Sequence, residues 1–391
     1  MDSRLFCFFI SGEENQVFPG SGLWQFPLSG KTPDFLTDSL SDHKTCDSII
    51  TIGDYFLASS MFLSENAFSI LKSGLKIVYD ISVQTDQICK VTLFLEKHGA
   101  FYHPLKIQVA LTEHRICLFV LNGAVSKQGL LLIEKEYQLI SGLNKIYLKR
   151  YLPQVFGVDV IKTDKGRIGF FLGEWFDGFK EFHVTKDQDI KQISIWESDG
   201  KRNYIPETSA LPIYQEISRI LTYYYDIESF EQIFPWHHAA GDFIVRQEDG
   251  KVHVRLITIR GYSSVTPFGT NEADKKKHIL PSLLFFFLNM TLRMRLDRIN
   301  GTGRMVMLGE QMVSSTIDGF LSALDEKSLD YDYGDLRLIF IEFFRQFNLE
   351  QIMGLLENIL EDCHLDPSEI EVTTGNFESH CKLLHSIFKN V

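Results

Sequence analysis

The pattern of apolar and polar residues predicts a strand-rich part followed by a mainly helical part. Three apolar runs between residues 90 and 121 have the alternation and composition that are typical of β-strands. These runs are Lys90–Glu96, Leu105–Leu111 and Ile116–Leu121. Leu130–Leu143 then changes to helical spacing, whereas Tyr151–Ile161 and Arg167–Phe176 return to strand character. The predicted order is therefore strand, strand, strand, helix, strand, strand.

Beyond this block, apolar residues recur mostly at helical spacing. A helix is expected over Ile213–Ile227, where apolar residues follow one face. Asp249-Gly250 is a strong signal for a two-residue hairpin turn, and Val252–Ile259 is the predicted return strand. Further helices are predicted over about 279–298, 311–325, 335–347, 349–362 and 376–389.

Residues 1–85 are expected to form an N-terminal extension of short strands and a helix. Glycines and prolines interrupt the first part of this segment and predict loops. A short helix is expected over Ser64–Lys72, with Ser64 as its N-cap and Gly74 ending it.

Composition and charge narrow the functional classes. The 391 residues are 45% apolar and 23% charged, which are ordinary values for a globular protein. The net charge is 39 − 51 = −12, and phosphate backbones and anionic lipids repel an acidic chain. We therefore expect neither a nucleic-acid partner nor a membrane partner.

Two further features favour a cytoplasmic location. The longest apolar stretch, Ile279–Leu292, contains Pro281 and is shorter than the ~20 residues of a membrane-spanning helix. The six cysteines form no Cys-x-x-Cys pair, and no signal peptide is expected at the N-terminus. This cysteine usage fits a reducing compartment.

Residues 236–242 form the chemically richest short stretch, because two adjacent histidines and an aspartate occur within seven residues. His237 is a candidate general base near neutral pH, and Asp242 is a candidate ligand for a divalent metal. A metal site formed by a histidine, Asp242 and a distant ligand, and a purely structural turn, are the two further interpretations. The sequence leaves these alternatives open.

The same stretch also fits another enzyme class. His237, His238 and Asp242 match the His-His-x-x-x-Asp pattern and so resemble acyltransferases such as peptide-synthetase condensation domains and chloramphenicol acetyltransferase. That resemblance implies that His238 is the general base and that Asp242 is structural. Phe243 replaces the glycine that usually follows the aspartate.

The element order over residues 90–260 resembles the protein-kinase-like fold of aminoglycoside and choline phosphotransferases. Residues 170–178 resemble the hinge of that family, and Gly241–Val245 resembles the end of its catalytic loop, Gly-Asn-Ile-Leu-Val. The resemblance implies that Asp242 stands where the family has its metal-binding asparagine. It also implies that Glu136 keeps the position of the helix glutamate, and that hinge residues Glu174 and Trp175 contact a bound base.

Other family positions carry different residues. The catalytic aspartate falls on His237, the third-strand lysine falls near Asn122, and the last metal-binding aspartate falls near Thr258. Phosphoryl transfer depends on lysine and metal charges that neutralise the phosphates. Arg260, two residues after Thr258, is a candidate for holding a phosphate or carboxylate in a bidentate contact, or for a salt bridge.

These observations predict an α+β, two-lobed, kinase-like fold. Residues 86–178 would form the small lobe after the extension 1–85, and residues 179–391 would form the helical large lobe. The predicted function is that of a pseudokinase or atypical phosphotransferase that binds a nucleotide or small phosphorylated ligand between the lobes. ATP or GTP with Mg²⁺ is the expected cofactor. The alternatives are an acyltransferase and a non-catalytic protein that binds a protein partner through a phenylalanine-rich surface.

Overall fold

The computed structural model describes residues 5–28, 49–96, 101–197, 200–236, 238–265, 275–362 and 366–390. The chain divides into two units between Asp177 and Gly178. A large sheet dominates the first unit, and the second unit is mainly helical. The predicted α+β class, with a strand-rich part ahead of a helical part, is confirmed.

The first unit contains six strands and two long helices among its described residues. They are β1 (Phe6–Ile10), α1 (Ile52–Tyr79), β2 (Ile88–Leu95), β3 (Leu105–Leu111), β4 (Ile116–Ala124), α2 (Lys127–Ile146), β5 (Val155–Thr163) and β6 (Gly166–Glu174). The sheet order is β1-β2-β3-β4-β6-β5, in which β1 is parallel to β2 and the other neighbours are antiparallel. The predicted order of three strands, a helix and two strands is confirmed.

The sheet is buried on both faces around β6. Phe170 belongs to the core that includes α1, whereas the next residue, Phe171, packs with Ile133 of α2. Successive side chains of a strand point to opposite faces, so α1 and α2 cover opposite faces of the sheet. This explains why β6 is an almost continuous apolar run and lacks polar alternation.

The prediction of a helix over Ser64–Lys72 is wrong about both ends of the helix. Thr51 is the N-cap of α1 and accepts a hydrogen bond from the main-chain N–H of Asp54, whose carboxylate in turn accepts one from Thr51 N–H. The helix is interrupted over residues 65–68 and continues past Gly74 to Tyr79. A Cβ on Gly74 would lie 2.7 Å from the Phe119 ring, so this glycine allows close packing against the sheet and does not end the helix.

The second unit begins with a sheet that the sequence pattern did not indicate. Strands β7 (Phe182–Asp187), β8 (Ile190–Trp196) and β9 (Arg202–Pro206) form an antiparallel meander. The later elements are α3 (Leu211–Tyr223), β10 (Glu231–Ile233), the one-turn α4 (Ala239–Asp242), β11 (Phe243–Glu248), β12 (Lys251–Leu256), β13 (Tyr262–Ser264), α5 (Lys275–Arg293), β14 (Leu296–Arg298), β15 (Met305–Met307), α6 (Gln311–Lys327), α7 (Leu336–Phe344), α8 (Leu349–Asp362), α9 (Pro367–Thr374) and α10 (Phe377–Asn390).

Most of the predicted helices of this unit are confirmed, with one clear error. The helix expected to reach residue 298 ends at Arg293, because residues 296–298 form β14 and pair with β15. The hairpin predicted from Asp249-Gly250 is confirmed as β11 and β12. Both turn residues have positive φ, 49° and 73°, as this tight turn requires.

Phenylalanines fill the helical core of the second unit. The Phe287 ring of α5 lies 4.7–5.8 Å from four other rings, those of Phe320 on α6, Phe340 and Phe344 on α7, and Phe388 on α10. All five side chains are buried. These phenylalanines therefore form packing contacts and are not part of a surface for a partner. No helix in the described parts of the chain is long and apolar enough to cross a membrane.

Candidate functional site

The β11–β12 hairpin brings Asp242 and Arg260 together. Asp242 directly precedes β11, and its main-chain oxygen accepts a hydrogen bond of 2.9 Å from Ile257 N–H, just after β12. Arg260 follows three residues later on the same segment. The two residues therefore lie at the open end of the hairpin, although they are 18 positions apart.

Arg260 binds the carboxylate of Asp242 with a two-pronged contact. Its Nη1 donates to Oδ2 and its Nη2 donates to Oδ1, each at 2.8 Å. The Asp242 side chain is only 4% exposed, whereas the Arg260 side chain is 25% exposed. The planar guanidinium matches the carboxylate and satisfies a buried negative charge. Of the two roles considered for Arg260, the structure shows a salt bridge, and its carboxylate partner is nearly buried.

The Arg260 guanidinium takes the place at the Asp242 carboxylate that a Mg²⁺ ion was expected to take. A magnesium ion would be bound through carboxylate oxygens, and both oxygens of Asp242 already accept hydrogen bonds from Arg260. Thr258, at the position expected for a second carboxylate, is a half-buried residue without one. Among the described residues, no three His, Cys, Asp or Glu side chains lie close enough together to hold a metal. Asp242 as a metal ligand stays a prediction from the sequence.

His238 makes an ion-pair contact with a residue far along the chain. Its Nε2 lies 3.1 Å from Oε1 of Glu369, and the two side chains are 12% and 7% exposed. The other carboxylate oxygen of Glu369 accepts a hydrogen bond from Asp366 N–H, which is part of the cap at the start of α9. The contact therefore ties the loop before α4 to the N-terminus of α9. His237 lies outside the described residues.

The pKa of Glu369 reflects these contacts. Burial alone would raise the pKa of this carboxyl, but the hydrogen bonds from His238 and from Asp366 N–H outweigh burial and lower it. Glu369 is therefore ionised at neutral pH and is suited to hold the His238 ring in place. With Nε2 against this carboxylate, His238 has the position of a structural histidine. The general-base role that the acyltransferase resemblance implies stays a prediction.

Two further residues next to the loop were not predicted from the sequence. The carboxylate of Asp297 accepts hydrogen bonds from Val184 N–H and Arg298 N–H, and burial raises its pKa against the favourable charges of His238 and His183. The His183 ring is also buried and lies 4.6 Å from the Trp196 ring. Both residues lie on strands, β14 and β7, that the periodicity did not indicate, so no sequence signal connected them with the loop.

Some of the predicted residues lie in the first unit. Glu136 lies on α2 and is buried. Asn122, close to the expected lysine position, lies on β4.

The predicted hinge residues lie at the end of β6 and just after it. Glu174 is the last residue of β6, and its Oε2 accepts a hydrogen bond from Gln154 N–H at 3.1 Å. The Trp175 ring follows, with Lys106 Nζ 5.0 Å from its centre. A role of either residue in contacting a nucleotide base stays a prediction.

Comparisons with known proteins identify no family for this chain. A scan against protein-family models and a search of curated proteins gave no match. A search of solved structures found similarity to the structure of the Drosophila melanogaster PAN3 pseudokinase, with 12% identity and a TM-score of 0.25. The alignment covers 74% of this chain and 63% of that chain, so this chain spans less than two thirds of its length. Similarity at this level does not establish a family.

Proposed function

We propose that the protein is a pseudokinase: a kinase-like protein that binds a nucleotide or a small phosphorylated ligand and does not transfer phosphate. The observation that carries this proposal is the bidentate contact of Arg260 with the buried carboxylate of Asp242. In a working phosphotransferase of this kind, the residue at that position would hold a metal ion. Here it holds an arginine.

The first unit supports the kinase-like part of the proposal. Its order β2, β3, β4, α2, β5, β6 is the order of three strands, a helix and two strands on which the resemblance rests. The carboxylate of Glu136 is buried on α2, the helix that would carry the family's paired glutamate. Glutamates are rarely buried this deeply unless their charge is paired.

The residues at two other family positions lack the charges that catalysis needs, which supports the absence of phosphate transfer. Phosphoryl transfer needs positive charge on the phosphates and carboxylates for the metal. Asn122 and Thr258 stand near two of the charged positions, and neither carries a charge. Without these groups, the developing charge of the transition state has no stabilising partner at those positions.

The test combines a binding measurement with a turnover measurement. Purified protein is heated with ATP, ADP or GTP, each with Mg²⁺, with Mn²⁺ or with EDTA. We expect one of these nucleotides to raise the melting temperature, since a ligand at 100 times its Kd adds about 2.7 kcal/mol of stability. In parallel, release or transfer of the γ-phosphate is followed, and we expect no rate above the background without protein.

Two results would contradict the proposal. Phosphate transfer that is lost in Asp242→Ala would make the protein an active phosphotransferase. Absence of a thermal shift with every nucleotide at millimolar concentration would remove nucleotides as the ligand class. Turnover of an acyl thioester that is lost in His238→Ala would instead support the acyltransferase alternative.

A further inference from the structure

The helical part of the second unit contains an apolar cavity beside its phenylalanine core. The cavity lies between α5, α7 and α8 and has a volume of about 450 Å³. Aliphatic side chains that are at most 4% exposed form its floor: Leu284, Leu288 and Ile359. Half-buried aromatic rings form part of its wall: Phe285, Phe343 and Phe347.

The sequence of α5 explains why this cavity is apolar. Residues 283–288 are apolar without a break, so α5 is apolar on more than one face. Phe286 and Phe287 pack against Phe320 in the core, whereas Leu284, Phe285 and Leu288 line the cavity. A helix at the surface of a globular protein needs one apolar stripe, so the second stripe indicates a second apolar contact.

Polar groups occur on one side of the cavity. Asn358 and Glu361 are the two polar residues of its lining, and both lie on α8 with exposed side chains. Positions three apart on a helix are neighbours, so these side chains lie together at the mouth of the cavity. Among the described lining residues, Glu361 carries the only charge. The complement of this lining is an apolar body with a positively charged end.

The dimensions of the cavity favour a small molecule over a protein chain. Sites for small molecules are mostly apolar, have a few polar groups and measure about 300–1,000 Å³. A stable protein–protein interface takes about 20–30 residues on each side, whereas ten residues line this cavity. Glu342 and Gln346, which precede the wall residues Phe343 and Phe347, are exposed, so the apolar area ends there.

We propose that this cavity binds a small amphiphilic cation, with its hydrocarbon or aromatic body among the phenylalanine rings and its ammonium group at Glu361. The side-chain oxygen of Asn358 is a second acceptor for the same ammonium group. This inference goes beyond the proposed function, because no residue of the cavity belongs to the candidate site and no nucleotide is needed.

The experiment compares three probes that share one alkyl chain and differ in charge: decylamine, decanol and decanoate. Each is titrated into the full-length protein below its micelle concentration, and binding is measured by isothermal titration calorimetry. We expect about one molecule per chain, with decylamine bound most tightly and decanoate most weakly.

Two pairs of variants locate the binding. Glu361→Lys should weaken decylamine binding by about tenfold, since it replaces an attraction by a repulsion. Glu350→Lys is the matched control, because it makes the same charge change at an exposed position of α8 outside the lining. Leu355→Trp fills the cavity from its wall and should abolish binding of all three probes. Leu338→Trp, at an exposed position of α7 outside the lining, should leave binding unchanged.

Four outcomes would overturn the inference. The first is that wild type binds none of the probes, and the second is that Leu355→Trp binds them as wild type does. The third is that Glu361→Lys keeps the same preference for decylamine as Glu350→Lys. The fourth is a wild-type dimer in sedimentation that Leu355→Trp dissociates, since a second copy would then occupy the cavity. Glu361→Lys changes an exposed residue, so the comparison of the probes holds even if Leu355→Trp does not fold.

Discussion

The two partners of the Asp242–Arg260 pair are buried to different degrees, which predicts unequal costs of removing each charge. Arg260→Met removes the guanidinium and leaves a carboxylate that is 4% exposed. Asp242→Asn removes the negative charge and leaves a guanidinium that is 25% exposed. The carboxylate has little access to water, whereas the arginine has more. We therefore expect Arg260→Met to destabilise the protein more than Asp242→Asn does.

The magnitudes follow from burial. Removal of one partner of a fully buried pair costs about 3–5 kcal/mol. We expect about 3 kcal/mol for Arg260→Met, at the lower end because the pair is not fully enclosed. For Asp242→Asn we expect about 1 kcal/mol, since asparagine keeps an acceptor for one hydrogen bond and water reaches the arginine. The double variant should reveal a coupling energy of about 1–3 kcal/mol.

The assay is urea unfolding of the four proteins of the cycle, followed by tryptophan fluorescence. Trp196 and Trp236 both lie in the unit that contains the pair, so the transition of that unit can be observed. The reasoning would be refuted if Asp242→Asn cost as much as Arg260→Met. A coupling energy below about 0.5 kcal/mol would also refute it, because the two charges would then be independent.

Three further predictions concern other parts of the second unit. Burial lowers the pKa of Lys327 to about 8, below its ordinary 10.5, so the unfolded chain binds more protons between these values and stability should rise as pH increases from 8 to 10.5. Lys327→Met should abolish that rise, as measured by urea unfolding. The pKa of Glu369 is held below 4.5, so its contribution is present above that pH and lost as pH falls; Glu369→Gln should flatten the acid limb of the stability profile. A Cβ on Gly319 would lie 2.0 Å from the main-chain oxygen of Gln215, so Gly319→Ala should lower stability by about 2 kcal/mol or more, as measured by thermal unfolding. As a control in the first unit, Gly142→Ala on α2, where no atom lies within 4 Å of the new Cβ, should be neutral or stabilising by up to about 1 kcal/mol.

Part of the candidate site could be predicted because its signal is local. Asp249-Gly250 indicates the hairpin directly, and the hairpin places the segment before β11 beside the segment after β12. The sequence also singled out Asp242 and Arg260 separately. Their contact was not predicted, because the bidentate geometry depends on how the chain leaves the strands at the open end of the hairpin. The partner of His238 is 131 residues away, and no sequence spacing indicates a contact of that length.

The sequence by itself determined the elements whose period is regular and whose ends carry a signal. The three strands from Ile88 to Ala124, the helix α2 and the hairpin turn belong to this class, since local sterics and one-sided burial set their pattern. The α+β class and the order of the first unit follow from them.

Only the tertiary structure decided the features that depend on long-range contacts. Strands β7 and β14 have weak patterns of their own and are stabilised by pairing with β8 and β15. Gly74 reads as a helix end in sequence, yet packing against Phe119 keeps it inside α1. The way in which the buried charge of the candidate site is neutralised also depends on long-range contacts. A buried carboxylate must be neutralised, and a metal ion and an arginine both meet that need, so only the folded chain decides between them.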